Sequence, residues 1–204
     1  MTSALVDHVA AGALGVALGV VTGMPLGVVN VAIVDAAAGG RRRFATGVGI
    51  GGAVADAIHA TLAFVGIGRL VTSRPELVRG LAIAAAVLIV GYAIVAWRGR
   101  ASRRLAGDDS SLARGITTGF ALTAPNPGAL AAWGAVAASL WPDATIGEAI
   151  AIALGVGLGS ATWFALLARW MARIRPDHKA LTIVPRVALV ALVGIAVVGI
   201  VRVI

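Results

Sequence analysis

Along this chain apolar residues come in long blocks separated by short charged clusters, rather than in alternation with polar ones. No formal charge occurs from Val9 to Val34, and between Arg43 and Arg69 the only one is Asp56. Further charge-free blocks run from Gly80 to Trp97, Gly115 to Pro142, Ala149 to Ala168 and Val187 to Val201. Each is near or above the roughly 18 residues that mark a membrane span. With no water to satisfy the backbone, such blocks are helical. The pattern predicts an all-α polytopic membrane protein with six transmembrane helices.

Two of the blocks carry residues that interrupt helices. The first contains "TGMPLGVVN" (Thr22 to Asn30) and the fourth "TAPNPG" (Thr123 to Gly128). In each, proline follows the threonine and a glycine stands five residues after it. The second block begins "GVGIGGAV" (Gly47 to Val54), and the fifth contains "GVGLGSAT" (Gly155 to Thr162). Matched motifs in matched order divide the chain into a three-helix repeat at 1–97, a cytoplasmic linker at 98–111 and a second three-helix repeat at 112–204. Three is odd, so the second copy enters from the opposite face. The expectation is a 3+3 inverted-topology repeat with broken first and fourth helices, an architecture common among secondary transporters.

Composition changes this picture little, and charge orients it. The chain is 59% hydrophobic and 13% charged, with a mean hydropathy of +0.96, far from the average of soluble domains. Of its basic residues, thirteen fall between blocks one and two, three and four, or five and six; Arg69, Arg74, Arg79 and Arg202 fall on the other side. This positive-inside bias makes the odd loops cytoplasmic and places both termini outside the cytoplasm, in a plasma (inner) membrane. The net charge of +8 is thereby a topology signal rather than a nucleic-acid footprint. The first block lacks a preceding basic residue and exceeds the length of a signal-peptide core, so it is expected to remain as the first span. The absence of cysteine excludes disulfides and thiolate metal sites.

Depth arithmetic then singles out candidate chemistry. At about 1.5 Å per residue the membrane centre lies roughly ten residues from either interface. Counting inward brings Pro25 to Gly27, Asp56, Asn126 and Pro127 to similar depth, with Asn30 just to the cytoplasmic side. An ionisable group there costs about 2.5–3.5 kcal/mol and points to function, although an acid locking two helices is the plain alternative. His59, three residues after Asp56, shares its face and is placed to hydrogen-bond it, either as a proton relay or as a structural partner. Asp35, nearer the interface, is expected to pair with Arg41 or its neighbours. The glycine-rich runs fit close helix packing better than ligand contact. Trp97, Trp141 and Trp170 sit at span ends as belt residues; Trp133 follows the second break and is placed to shape a cavity.

Prolines within spans are tolerated where the freed backbone groups are buried or line a cavity, and a half-helix N-terminus suits a carboxylate. Two broken helices thus offer a carboxylate site and Asp56 an ammonium partner, together complementing a zwitterion. The expected substrate-binding residues are Thr22, Pro25, Gly27, Asn30, Thr123, Asn126, Pro127 and Trp133. Asp56 and His59 are the expected proton-coupling or charge partners. No catalytic residue, metal site or cofactor is expected.

At "MPLGVVN" (Met24 to Asn30), "GGRRRFATGVGIGGAVADAIHATLAFVG" (Gly39 to Gly66) and "APNPGALAAW" (Ala124 to Trp133), the chain resembles the LysE/RhtB amino-acid exporter family. Val28 stands where many relatives have a second proline, and Ala55 precedes Asp56 where glycine is common. The resemblance implies a six-span inverted repeat, dimeric, exporting amino acids or similar small metabolites and driven by the proton gradient. It also implies that Pro25, Gly27, Asn30, Asp56, Asn126 and Pro127 belong to the family motifs. The rival within transport is a divalent-cation exporter, for which only Asp56, His59, Asn30 and Asn126 are available at depth. An intramembrane enzyme finds no support: the one acidic pair, Asp108 and Asp109, lies in the linker, and Ser160 has no histidine in its own span.

Overall fold

The apolar blocks form helices whose ends are set by capping chemistry rather than by the apolar boundary. The computed structural model describes residues 2–24, 27–66, 73–106, 111–141 and 143–173, with eight scattered positions between 183 and 201. Among the described residues the elements are α1 (Thr2–Gly23), α2 (Val28–Ala38), α3 (Arg42–Phe64), α4 (Pro75–Ala106), α5 (Leu112–Thr123), α6 (Pro127–Leu140) and α7 (Ile146–Arg173). Four of them, α1, α3, α4 and α7, hold stretches long and apolar enough to cross a membrane; α2 and α6 are shorter apolar helices. Most of the sixth expected span, and Pro25, lie outside the described residues.

Two helices overrun the predicted blocks. α1 begins at Thr2, well before Val9, and α4 continues to Ala106, through much of the stretch expected as linker. Hydropathy marks where lipid ends; the backbone bonds of a helix continue into the interface at little cost.

The starts of α5 and α7 carry recognisable caps. The Ser111 hydroxyl accepts from the Arg114 amide at 3.3 Å to open α5. Before α7, Thr145 and Glu148 form a reciprocal capping box: the Glu148 carboxylate accepts from the Thr145 amide at 2.8 Å, and the Thr145 hydroxyl from the Glu148 amide at 3.3 Å. The turn from α2 to α3 needs Gly40 at φ +77°, which lets Arg41 fold back on Asp35. Their buried ion pair, 2.9 Å long, is the pairing expected from the sequence.

Glycines decide how the helices pack. A methyl group at Gly15 or Gly19 of α1 would collide with the carbonyls of Ile152 or Val156 of α7, and one at Gly155 or Gly159 of α7 with those of Gly12 or Val16. The α3–α5 contact repeats this: Gly115 and Gly119 abut the carbonyls of Phe44 and Val48, and Gly47 and Gly51 those of Leu112 and Ile116. Numbers rise by 100 from α1 to α5 (Gly15 to Gly115) and by 108 from α3 to α7 (Gly47 to Gly155) for every one of these contacts. In each pair the two helices run parallel. The pairs meet where α3 crosses α7 antiparallel, Gly49 against Phe164 and Gly157 against Ala57. α2 and α6 pack on that central seam, and α4, packed on α5 and α6, joins the same apolar cluster through Ala86, Ile89 and Ala93.

Candidate functional site

The apolar core is split in two along the α3–α7 seam. One cluster takes Val48 and Ala53 of α3 with Phe164 and Ala168 of α7, together with much of α2. The other takes Ala60, Ala63 and Phe64 of α3 with Ile152, Ala153 and Val156 of α7, together with Trp133 of α6. Between them lie Asp56 and His59 on α3 and Ser160 on α7, so the polar side chains form a layer across the seam. His59 and Ser160 are buried. The Asp56 carboxylate is within side-chain hydrogen-bonding reach of the Ser160 hydroxyl, which also lies 3.3 Å from the carbonyl of Gly19. A serine has one proton for those two acceptors, so its allegiance depends on whether Asp56 is itself protonated.

The first chain interruption follows Gly23. The Asn30 side-chain amide donates to the Gly23 carbonyl at 2.8 Å, spanning the gap between α1 and α2. Its Oδ1 accepts from the Trp163 indole at 3.1 Å, fastening both to α7. Asn30 thus gives a partner to a carbonyl exposed by the end of α1, where an unsatisfied group is costly. Trp163 in turn stacks edge-on against Trp170, with ring centroids 5.9 Å apart. Gly27 precedes α2 as its N-cap with extended backbone and no side-chain cap. The Thr22 hydroxyl bonds back to the Leu18 carbonyl of its own helix at 2.8 Å and is exposed.

The second interruption separates α5 from α6. Asn126 caps α6: its Oδ1 accepts from the amides of Gly128 at 3.0 Å and Ala129 at 3.3 Å, with Pro127 in the first turn where no amide is missed. The Thr123 hydroxyl is buried and bonds back to the Gly119 carbonyl at 3.0 Å. The Ala124 carbonyl, at the end of α5, is met by Nε2 of His59 at 3.1 Å. The histidine therefore reaches across to the second interruption instead of bonding Asp56, the partner its spacing suggested.

Both interruptions converge on α3. Gly52 faces Val29 at the start of α2, and His59 holds Ala124 at the end of α5. Asp56 stands between them, within about two helical turns. Of the residues expected from sequence, Asn30, Asp56, His59 and Asn126 come to this region; Thr22 does not, and Trp133 packs in the second apolar cluster. Ser160, Trp163 and Gly23 were not anticipated. Ser160 had a signal: it occupies the place of Gly52 in the second copy of the glycine motif, an exchange of a hydrogen for a hydroxyl in an otherwise apolar contact.

The chain matches the LysE type translocator family over residues 20–202. It belongs to that family. No curated protein and no solved structure matches it. The translocator is accordingly a multi-pass membrane transporter rather than an enzyme, and a small molecule is its transported substrate. In a translocator the bracing at both interruptions has a clear chemical meaning. Each gap leaves polar backbone inside an apolar protein, and Asn30, Asn126 and His59 each give part of that backbone a side-chain partner.

Proposed function

We propose that this translocator is a secondary active exporter of amino acids or related small zwitterions, driven by the proton gradient. Its substrate binds between two broken helices near the membrane centre, with access alternating between the two sides. The observation that carries this reading is the placement of Asp56. It is the one acid of α3, and it lies between Gly52 and His59, which touch the two interruptions. The α-ammonium of an amino acid pairs with Asp56, and its carboxylate meets amides freed at a helix start.

The first break lies between α1 and α2, the second between α5 and α6, and the protein is a 3+3 inverted repeat of 1–97 and 112–204. The constant shifts of 100 and 108 between the two sets of glycine contacts support this, as do the opposite directions of the two parallel pairs. A shift of 100 pairs Pro25 with Pro125 in sequence, one position away from the register suggested by Thr22 and Thr123. The arginine-rich loops are cytoplasmic and both termini are outside, in the plasma membrane. A homodimer fits the family.

A divalent cation is the weaker reading. Asn30 uses both side-chain atoms to brace α1 to α2 and α7, Asn126 caps α6, and His59 commits Nε2 to a carbonyl. These are braces rather than a converging ligand shell.

The test is counterflow in proteoliposomes loaded with leucine, threonine, lysine or glutamate, and separately with divalent metals, with and without a pH gradient. Amino-acid movement accelerated by the gradient is the expected result. Robust metal movement with none of any amino acid overturns it.

A further inference from the structure

The two nitrogens of His59 have different fates. The side chain is 4% exposed. Nε2 sits 3.1 Å from the Ala124 carbonyl, which can only accept, so Nε2 carries the hydrogen. Nδ1 therefore holds a lone pair. It is shut off from solvent and has no hydrogen-bond partner among the described residues. A buried acceptor without a donor is costly and calls for an explanation. If His59 were only a brace for the second interruption, Nε2 alone would suffice.

We propose that Nδ1 of His59 is a single seat that the coupling proton and an N–H of the transported ammonium occupy in turn, each displacing the other. The inference rests on the reading of the chain as a proton-driven exporter and adds the atom at which proton and substrate compete. When a proton arrives it bonds to the Nδ1 lone pair, giving an imidazolium with N–H on both nitrogens. Nε2–H stays on Ala124, and Asp56, one turn earlier on the same face, supplies a counter-charge for the new cation. No lone pair then remains to accept from an ammonium. When substrate enters, the imidazolium gives its Nδ1 proton to water, and the substrate N–H donates to the restored lone pair. No bond within the substrate forms or breaks. One proton moves opposite to one ammonium, so an inward proton gradient drives export.

The surroundings leave few other groups to titrate in that role. α6 has no ionisable side chain; α5 has Arg114 in its first turn, beside the start of α3. On α7, Glu148 is engaged in its capping box at one end, and Arg169 and Arg173 are at the other. α2 has only Asp35, paired with Arg41, and α1 only Asp7 and His8 near its start. α4 carries Glu76, Arg79, Arg98, Arg100, Arg103 and Arg104 near its two ends. Asp56 is the ionisable neighbour that matters.

The test combines the wild type with His59→Gln in proteoliposomes, using the same four amino acids. Glutamine keeps an N–H for Ala124 but offers no titrating lone pair. In the wild type, apparent KM should rise by up to about tenfold per pH unit as acidification protonates Nδ1, with maximal rate unchanged. His59→Gln should show amino-acid counterflow with a raised KM that no longer varies with pH, and should lose acceleration by an imposed pH gradient. A trimethylated amino acid, which has no N–H, should compete poorly with the proton. Wild-type KM that is flat with pH overturns the proposal, as does gradient-driven export that persists in His59→Gln. Should His59→Gln fail to fold, the wild-type pH profile decides alone. A wild type that moves no amino acid would instead remove the exporter reading itself.

Discussion

The indole N–H of Trp163 donates to the side-chain oxygen of Asn30 at 3.1 Å, joining residues 133 positions apart. Because Asn30 also bonds Gly23, one side chain ties the end of α1 to α2 and to α7. Asn30→Ala removes both bonds and leaves a buried carbonyl and an indole N–H without their partner. It should cost about 1–3 kcal/mol. Trp163→Phe keeps the ring, loses one bond and should cost less. Thermal unfolding in detergent checks both, and the double variant should be less destabilised than the sum of the singles.

Close glycine contacts predict which substitutions the bundle refuses. A methyl at Gly51 meets the Ile116 carbonyl and one at Gly159 the Val16 carbonyl, whereas one at Gly134 meets nothing within 4 Å. Gly51→Ala and Gly159→Ala force helices apart and should each destabilise by about 1–3 kcal/mol. Gly134→Ala should be neutral or stabilise by up to about 1 kcal/mol. Yield of monodisperse protein and its melting temperature separate the two outcomes.

The Asp35–Arg41 pair is buried, with side-chain exposures of 4% and 10%. Arg41 also lies over the Phe44 ring, 5.0 Å from its centre. Arg41→Ala removes the counter-charge from a buried carboxylate and should cost about 3–5 kcal/mol. Asp35→Asn combined with Arg41→Gln removes both charges and should recover much of that loss in the same melting assay.

Asp56→Asn removes the proposed ammonium partner while keeping a polar group near Ser160. Losing a charged hydrogen bond of about 1.5–3 kcal/mol should raise KM for an amino acid by about tenfold or more. Transport at wild-type rates across a range of pH would eliminate the charge role assigned to this residue.

Asn126 should act through helix capping. Asn126→Ala leaves the amides of Gly128 and Ala129 without their acceptor and should cost about 1 kcal/mol, with Asn126→Asp or Asn126→Ser largely restoring stability.

Sequence blocks by themselves determined that this chain lives in a membrane, because transfer of charge into lipid is so costly that its absence over long stretches is informative. They also pointed Asp35 to Arg41 or its neighbours, since a glycine turn brings that arginine cluster back on it, and the glycine runs to packing. The partners of the polar residues were decided only in three dimensions. Spacing put His59 beside Asp56; the rotation of α3 against α5 gave its Nε2 to Ala124. Nothing local announced that Trp163 would bond Asn30, or that Ser160 would stand between Asp56 and Gly19. Hydropathy sums a transfer energy residue by residue, whereas a hydrogen bond across the bundle depends on how closely and at what rotation two helices pack. Here that closeness was set by glycines on the contacting helix faces, Gly19 and Gly23 among them.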